Sequence, residues 1–308
     1  MVPFNTPHWI TKHNLEATLP EDLSKDHLSH IRKGLERYQV KNPRASIVIP
    51  AYNEERFLLK TLSSLSELKL PDQIPTELLV VNDASKDRTS DILAEMGVKE
   101  LLLPFNMAAK GDFILQADAD TLYPSDWGLS YVQQLEDSSN AVAYGSHSFV
   151  SEYGRSRLSF CLHESLGKVL YAIRRRKRAY INVHGFNSAF RRKDGLEHGS
   201  YEHTPSGSED GHMALMLMKI GHLKYVSGKD CRAWTSDRRL HADGDLNGPS
   251  QNVSRKKAPA WLNISVPDNV SLDFSLLSFL FTVVLIRFYR FILVVSYICV
   301  YDFSFCYL

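Results

Sequence analysis

The chain has 308 residues, of which 44% are apolar and 23% are charged, as in ordinary globular proteins. This composition excludes a disordered, a collagen-like or a polytopic membrane protein. The 36 Lys and Arg residues nearly balance the 35 Asp and Glu residues, whereas a nucleic-acid-binding protein usually has a strong basic excess. The four scattered cysteines include no CxxC pair, which predicts a reducing compartment and no disulfide framework.

Residues 1–44 are predicted to form an N-terminal helical extension. The first residues show no basic region followed by an apolar run, so we expect no signal peptide. After Pro20, acidic residues come first and basic residues later, which matches the dipole of a helix. Apolar residues recur there at helical spacing, namely Leu23, Leu28, Ile31 and Leu35. We expect this amphipathic helix to pack on the domain that follows.

From Ala45 onward the pattern alternates between strands and helices. The predicted strands are 46–50, 78–81, 100–103 and 113–116, and the predicted helices are 54–68 and 88–96. Such alternation predicts an α/β domain with a mostly parallel sheet covered by helices, which we place at 45–241. Further along the chain, 141–150 is a candidate strand and 155–179 a candidate helix.

Polar clusters follow three of the predicted strands, at 51–54, 82–85 and 118–120. Ligands of parallel sheets bind at the carboxyl ends of the strands, so we expect these clusters to share one edge. Asp118 and Asp120 point the same way on a strand and repel each other unless a cation lies between them. Mg²⁺ or Mn²⁺ suits such oxygen ligands and can hold a diphosphate. An isolated Asp-x-Asp triplet is more often a turn or a solvated strand end.

Six short motifs follow one another along the chain. The first three are Ser-Ile-Val-Ile-Pro-Ala-Tyr-Asn-Glu-Glu at 46–55, Leu-Val-Val-Asn-Asp-Ala-Ser-Lys-Asp-Arg-Thr at 79–89 and Gly-Asp-Phe-Ile-Leu-Gln-Ala-Asp-Ala-Asp at 111–120. The others are Gly-Phe-Asn-Ser-Ala-Phe-Arg at 185–191, Ser-Glu-Asp at 208–210 and Thr-Ser-Asp-Arg-Arg at 235–239. Together they resemble family 2 glycosyltransferases of the GT-A fold, and they occur in that family's order.

The resemblance implies a function and a set of site residues. It implies inverting, metal-dependent transfer of a sugar from a nucleotide-diphospho sugar to a hydroxyl of a glycan or lipid-linked acceptor. Asp210 would be the general base within the Glu209–Asp210 motif, and Mg²⁺ or Mn²⁺ would be held by Asp118 and Asp120. The residues implied in donor binding are Pro50, Tyr52, Glu54, Asp83, Lys110, Asp118, Arg238 and Arg239.

Each of these residues also has a structural interpretation. Tyr52 could be a packing aromatic residue, and Asp83 could serve only in an Asx turn or a helix cap. Glu209 and Asp210 could be a first-turn acid pair that matches a helix dipole. The family order of the motifs favours the functional interpretation for Asp83, Asp120 and Asp210. For the arginines at 238 and 239 both interpretations stay open.

One segment departs from the family pattern. The family usually has a longer stretch before the metal-binding strand, with a helix and a basic side chain that faces the diphosphate. Here residues 103–110 lead almost directly into that strand, so Lys110 is the only local basic candidate. The short segment favours an alternative, a non-catalytic protein that binds nucleotide sugars or glycans. A nucleotidyltransferase would need a Gly-rich basic loop after the first strand, but 50–55 is acidic and has no Gly.

Two further segments suggest a membrane surface. Residues 174–178 are Arg-Arg-Arg-Lys-Arg, which suits anionic lipid or a phosphate-bearing acceptor, although a solvated helix face is the alternative. Residues 242–272 have the composition of a linker, and 273–308 form an apolar, helical tail interrupted by two arginines. The alternative for the tail is a buried terminal helix. We expect a location at the cytoplasmic face of a membrane, with no nucleic-acid partner.

Overall fold

A computed structural model describes residues 2–101, 108–174, 178–198 and 209–242. The helices are α1 His8–His13, α2 Lys25–Leu35, α3 Leu58–Leu65, α4 Thr89–Met96, α5 Trp127–Glu136, α6 Arg157–Arg174, α7 Arg192–Glu197, α8 Glu209–Leu217 and α9 Arg238–Ala242. The strands are β1 Ala45–Ala51, β2 Thr76–Asn82, β3 Lys99–Leu101, β4 Phe113–Gln116, β5 Thr121–Leu122, β6 Asn140–Tyr144, β7 His147–Val150, β8 Ser188–Arg191, β9 His222–Tyr225 and β10 Ala233–Ser236. Short 3₁₀ turns cover Pro20–Asp22, Glu36–Tyr38, Ala179–Asn182, Gly185–Asn187 and Lys229–Cys231.

The central sheet has seven strands in the order β3-β2-β1-β4-β8-β6-β9. Only β8 runs antiparallel to its neighbours, so the carboxyl ends of β1, β2 and β4 lie at the same edge as the amino end of β8. Ile47 and Ile49 of β1 join one buried apolar cluster, whereas Val48 joins another, because a strand alternates its side chains. The predicted α/β class, a mostly parallel sheet flanked by helices, is confirmed.

A second sheet of three strands, β5-β10-β7, lies beside the site. The prediction of a single strand over 141–150 is wrong. The structure has two strands there, β6 and β7, which belong to different sheets and are separated at Gly145. A Cβ on Gly145 would lie 2.3 Å from the hydroxyl of Tyr131 and 2.6 Å from the carbonyl of Cys231. This close packing separates the two strands, and an apolar pattern alone does not reveal it.

The N-terminal residues pack into the fold. The 3₁₀ turn at Pro20–Asp22 and α2 agree with the predicted amphipathic helix, and Ile31 and Leu35 of α2 are buried. Ile10 of α1 is also buried and joins a small cluster with Leu122, Val150 and Trp234 of the second sheet. The first residues of the chain therefore help to fix the sheet that carries α9.

The predicted linker at 242–272, apart from its first residue, and the predicted tail at 273–308 lie outside the described residues, as do residues 102–107 of the shortened segment. The predicted helix over 155–179 is described as α6, and Ala179 belongs instead to a 3₁₀ turn. In the part of the chain that the structure describes, no helix combines the length and apolar character needed to cross a bilayer.

Candidate active site

One cavity of about 240 Å³ opens where β1, β2 and β4 end. Its lining residues are Pro50, Ala51, Tyr52, Glu54, Asp83, Asp118, Ala119, Arg238 and Arg239. The structure therefore brings together seven of the eight residues that the sequence predicts for donor binding. The residues that follow β1, β2 and β4 converge because parallel strands end at one edge of the sheet, which confirms the expected meeting of the three polar clusters.

Hydrogen bonds between the loops after β1 and β2 hold this edge in shape. The side-chain oxygen of Asn53 accepts the N–H of Lys86 at 2.8 Å, and the N–H of Asn53 donates to Ser85 at 2.9 Å. Asn53 and Ala84 have φ values of 55° and 52°, a left-handed conformation that non-glycine residues rarely adopt. Such backbone strain persists only where the surrounding contacts enforce it, and it clusters at functional sites.

The turn and cap roles that compete for Asp83 are carried out by its neighbours. The Asn82 side chain accepts the N–H of Ser85 at 3.0 Å, which is the Asx-turn contact. Asp87 accepts the N–H of Thr89, the first residue of α4, at 3.0 Å. Asp83 itself is exposed and borders the cavity. This placement favours the donor-binding interpretation of Asp83.

Arg238 is the central cation of the site. Its guanidinium donates to both carboxylate oxygens of Glu54, at 2.8 and 2.5 Å, and its Nε lies 2.7 Å from Oδ2 of Asp120. The second sheet places it there, because β10 pairs with β5 directly after Asp120. A solvated arginine pair is therefore the wrong interpretation for Arg238. Arg239 is 75% exposed, with Nη2 3.6 Å from Oδ2 of Asp118.

The protonation of the acidic cluster reflects its burial. Burial and the charge of Asp120 raise the pKa of Asp118 to about 7, and Arg239 opposes that rise. Burial also raises the pKa of Glu54, although Arg238 acts in the opposite direction. Burial by itself would lower the pKa of Arg238, but its hydrogen bonds to Glu54 and its attraction to Asp120 raise it. The site thus concentrates negative charge that a cation would stabilise.

The donor set of the site fits a divalent cation that shares its shell with a phosphate ligand. Mg²⁺ usually takes one or two carboxylates together with substrate oxygens and water, and Asp118 and Asp120 supply two carboxylates. Among the described residues, no three His, Cys, Asp or Glu side chains converge as a complete ligand set. Asp118 and Asp120 could therefore hold Mg²⁺ or Mn²⁺ only with further oxygens from a ligand or solvent.

Asp210 lies in the first turn of α8, next to Glu209. Its carboxylate accepts the N–H of Gly185, and a Cβ on Gly185 would lie 2.5 Å from Oδ1 of Asp210. Burial and the charge of Glu209 raise the pKa of Asp210, which makes its carboxylate a stronger base. The charge of Asp210 in turn raises the pKa of Asp118, which places the two acids in one site.

Lys110 is the predicted donor-binding residue that the structure places elsewhere. It precedes β4, and its N–H donates to Glu77, near the start of β2, at 2.7 Å. Asp118 follows the other end of β4. The four residues of this strand, at about 3.3 Å per residue, therefore separate Asp118 from Lys110. Lys110 borders a different cavity together with Tyr38. The assignment of Lys110 to the donor site is therefore wrong.

Tyr123 is a positioning residue that was not predicted from the sequence. Its hydroxyl accepts the N–H of Asp118 at 2.9 Å and donates to the carbonyl of Phe186 at 2.9 Å. The buried Tyr123 thus joins the loop of Asp118 and Asp120 to the turn that holds Asp210 through Gly185. No local motif marks Tyr123. The motif at 185–191 did mark the turn, although not the contact made by its glycine.

Comparisons with known proteins match part of this chain to one protein family. Residues 46–195 match the model described as Glycosyl transferase family 2. A dolichyl-phosphate beta-glucosyltransferase of Trichomonas vaginalis is 30% identical over 140 residues, which cover 37% of this chain and 43% of that protein. The 4,4'-diaponeurosporenoate glycosyltransferase of Staphylococcus haemolyticus is 46% identical over 54 residues, 18% of this chain and 13% of that protein. The chain thus spans less than half the length of these relatives.

Among solved structures, a mannosyltransferase from Pyrobaculum calidifontis in complex with GDP-Man and Mn²⁺ is 20% identical. The similarity covers 70% of this chain and 67% of the mannosyltransferase, with a TM-score of 0.46. The family assignment depends on the sequence match rather than on this similarity. The match begins in β1, includes β2 and β4, and ends in α7. The chain thus matches glycosyl transferase family 2 over residues 46–195, just under half of its length.

Proposed function

We propose that this chain is an inverting, metal-dependent glycosyltransferase that moves a sugar from a nucleotide-diphospho sugar to an acceptor hydroxyl. The observation that carries the proposal is the single cavity at the ends of β1, β2 and β4. Acidic and basic side chains from four separate segments meet there, next to the half-buried carboxylate of Asp210. The family match and its named relatives support the same reaction class.

Donor binding is assigned to the residues that line the cavity. Tyr52 is 56% exposed at the cavity, where its ring can flank the base. Asp83 would accept a hydrogen bond from the base or the ribose. Arg239 is exposed and only distantly paired, so its guanidinium can turn to the diphosphate and bind it in bidentate fashion. A divalent ion held by Asp118 and Asp120 would offset the negative charge of the leaving diphosphate.

Asp210 is assigned as the general base. Its carboxylate takes the proton of the acceptor hydroxyl while that oxygen attacks the anomeric carbon of the donor sugar. The new glycosidic bond forms as the bond from that carbon to the diphosphate breaks, so the nucleoside diphosphate leaves and the configuration inverts. The N–H of Gly185 fixes the direction of the carboxylate, and burial increases its basicity.

The acceptor is proposed to be a glycan or a lipid-linked saccharide, in the synthesis of surface polysaccharide or glycolipid. The name of the Trichomonas relative contains dolichyl phosphate, a lipid phosphate, which supports an acceptor that carries a lipid. The apolar composition of residues 273–308 supports a location at the cytoplasmic face of a membrane. The sugar and the base stay open, because small differences in pocket contacts decide between similar substrates.

Calorimetric titration tests the donor site. UDP, GDP, CDP and dTDP are each titrated into the protein with and without Mn²⁺. We expect one nucleotide to bind in a metal-dependent manner, and Asp118→Asn to abolish that binding. Asp91→Asn removes an exposed acid on α4 and is the matched control. Absence of binding by a folded sample would contradict the proposed donor site, and binding without metal would contradict the metal's role.

One observation favours a second candidate, a nucleotide-sugar-binding protein without turnover. Lys110 lies at the wrong end of β4, so it does not supply the basic side chain that the family usually directs at the diphosphate. Release of nucleoside diphosphate from a bound donor, measured over a panel of glycan and lipid-linked acceptors, distinguishes the two. Tight binding with no release beyond that of an Asp210→Asn control would favour the second candidate.

A further inference from the structure

Helix α6 presents an apolar stripe to solvent. Leu158, Leu162, Leu166 and Val169 are 55, 54, 64 and 57% exposed. Their spacing of four, four and three residues puts them on one helix face. The opposite face is buried through Phe160 and Glu164. Four of the ten exposed large apolar side chains in the described part of the chain therefore lie in a row on one helix.

The acidic and basic residues of α6 differ in their exposure to solvent. Its single acidic residue, Glu164, is buried, and both of its oxygens accept from Arg157 at 2.7 Å. Lys168 is exposed, and the sequence at 174–178 is Arg-Arg-Arg-Lys-Arg. The described part of α6 therefore has an exposed lysine and no exposed acid, and the sequence continues from its last residue with five consecutive cations. An apolar stripe together with nearby positive charge suits a lipid bilayer, which has an apolar interior and, in anionic membranes, negatively charged headgroups.

The N-terminal segment adds an aromatic side chain near the start of α6. The carbonyl of Pro3 accepts from the guanidinium of Arg157 at 3.1 and 2.8 Å and from the thiol of Cys161 at 3.0 Å. These contacts hold Phe4, which is 67% exposed, close to the first turns of the helix. Aromatic residues are common in helices and segments that lie in a membrane interface.

We propose that the stripe on α6 is a membrane-docking surface that inserts into the headgroup region of an anionic lipid bilayer. The leucines enter the acyl boundary, and the positive charge of 174–178 attracts anionic headgroups. Charge complementarity selects this occupant, because a neutral apolar partner would not explain five consecutive cations. The inference does not depend on the proposed reaction, and it uses residues outside both the site and the apolar tail.

A polarity-sensitive fluorophore at position 166 tests the proposal in the full chain. The Leu166→Cys variant is made in a Cys299→Ser, Cys306→Ser background, since Cys161 and Cys231 are buried. Leu196→Cys, an exposed leucine on α7, is the matched control site. With vesicles of phosphatidylcholine and phosphatidylglycerol, we expect a blue shift at 166 and none at 196. Vesicles of phosphatidylcholine alone should give a weaker shift that salt does not change.

Three outcomes would overturn the proposal. A label at 166 that stays in water while the protein sediments with vesicles would show that another segment makes the contact. A blue shift without vesicles that grows with protein concentration would identify a second copy of the chain as the occupant. A blue shift without vesicles at every concentration would identify an internal segment.

A pair of substitutions that introduce negative charge into the stripe gives a second readout. Leu162→Glu with Leu166→Glu should weaken cosedimentation with the anionic vesicles about tenfold or more, because two apolar side chains that would enter the bilayer become charged. Leu196→Glu should leave it unchanged. Both variants should keep the nucleotide binding of the wild-type protein, so loss of docking is distinguishable from failure of the donor site. Equal vesicle binding by the double variant and the control would contradict docking through α6.

Discussion

Replacing Arg238 with methionine would isolate the contribution of the central cation to stability. Methionine keeps most of the apolar stem of the side chain but removes the guanidinium, which also lies 5.1 Å from the ring centre of Phe57. It removes the charge that pairs with Glu54 and Asp120. The side chains of these acids are only 9 and 3% exposed, so water cannot replace the lost partner.

The expected loss follows from this burial. Removing one partner from a buried ion pair costs about 3–5 kcal/mol, because the remaining charge has no compensation. Arg238 is itself 28% exposed, which puts the expected loss near the lower end, about 3 kcal/mol. For a chain of this size, each kcal/mol lowers the melting temperature by about 2–4 °C. Arg238→Met should therefore melt about 6–12 °C below the wild-type protein.

Urea unfolding at neutral pH measures this effect, and Arg239→Met is its control. Arg239 is exposed and lies 3.6 Å from Asp118, so its loss should cost less than about 1 kcal/mol. The slope of the unfolding free energy with urea should stay the same in both variants. Equal unfolding free energies for the two variants would refute the central role of Arg238.

The same variant should show a characteristic pH dependence. Without Arg238 the pKa of Glu54, already raised by burial, rises further in the folded state. An acid with a raised folded pKa binds more protons when folded, so the folded state gains stability as pH falls. The stability difference between Arg238→Met and the wild-type protein should therefore shrink from pH 7 to pH 5. A difference that is constant over this range would contradict the assignment of the loss to buried carboxylates.

Two further predictions concern the proposed general base and the first N-terminal helix. Gly185→Ala should displace the carboxylate of Asp210 and slow nucleoside diphosphate release about 100-fold, with unchanged nucleotide affinity; weaker nucleotide binding would instead indicate a wider disturbance. Burial lowers the pKa of His13 to about 4. The unfolded chain then binds more protons between pH 6.5 and 4, so stability falls as pH decreases, by up to about 3 kcal/mol. His13→Gln should flatten this profile in urea titrations, whereas His8→Gln, which removes an exposed histidine, should keep it.

The site was predictable where local motifs and sheet geometry act together. Tyr52, Glu54 and Asp83 directly follow buried strands, and parallel strands bring such ends together. Their roles in donor binding stay predictions. The placement of Lys110 failed because a residue close to Asp118 in sequence can lie at the other end of the intervening strand.

The long-range contacts were not predictable from local patterns. The pairing of Arg238 with Glu54 joins residues 184 positions apart, and no spacing rule connects them. The separation of β6 from β7 at Gly145 likewise depends on packing against Tyr131 rather than on the residues of the two strands. A single sequence shows which residues suit a strand or a turn, but not which distant side chain will neutralise a buried acid.

The position of Arg238 has a consequence for biosynthesis. Glu54 and Asp120 are synthesised well before their cation, which is supplied by the last described helix, α9, after β10 has paired with β5. In a nascent chain that ends before residue 238, Glu54 and Asp120 lack this cation. Burying the two acids is then unfavourable, so the cavity stays hydrated until Arg238 has been synthesised. Contacts of such sequence separation also form late during folding. The candidate active site is thus among the last parts of the domain to form.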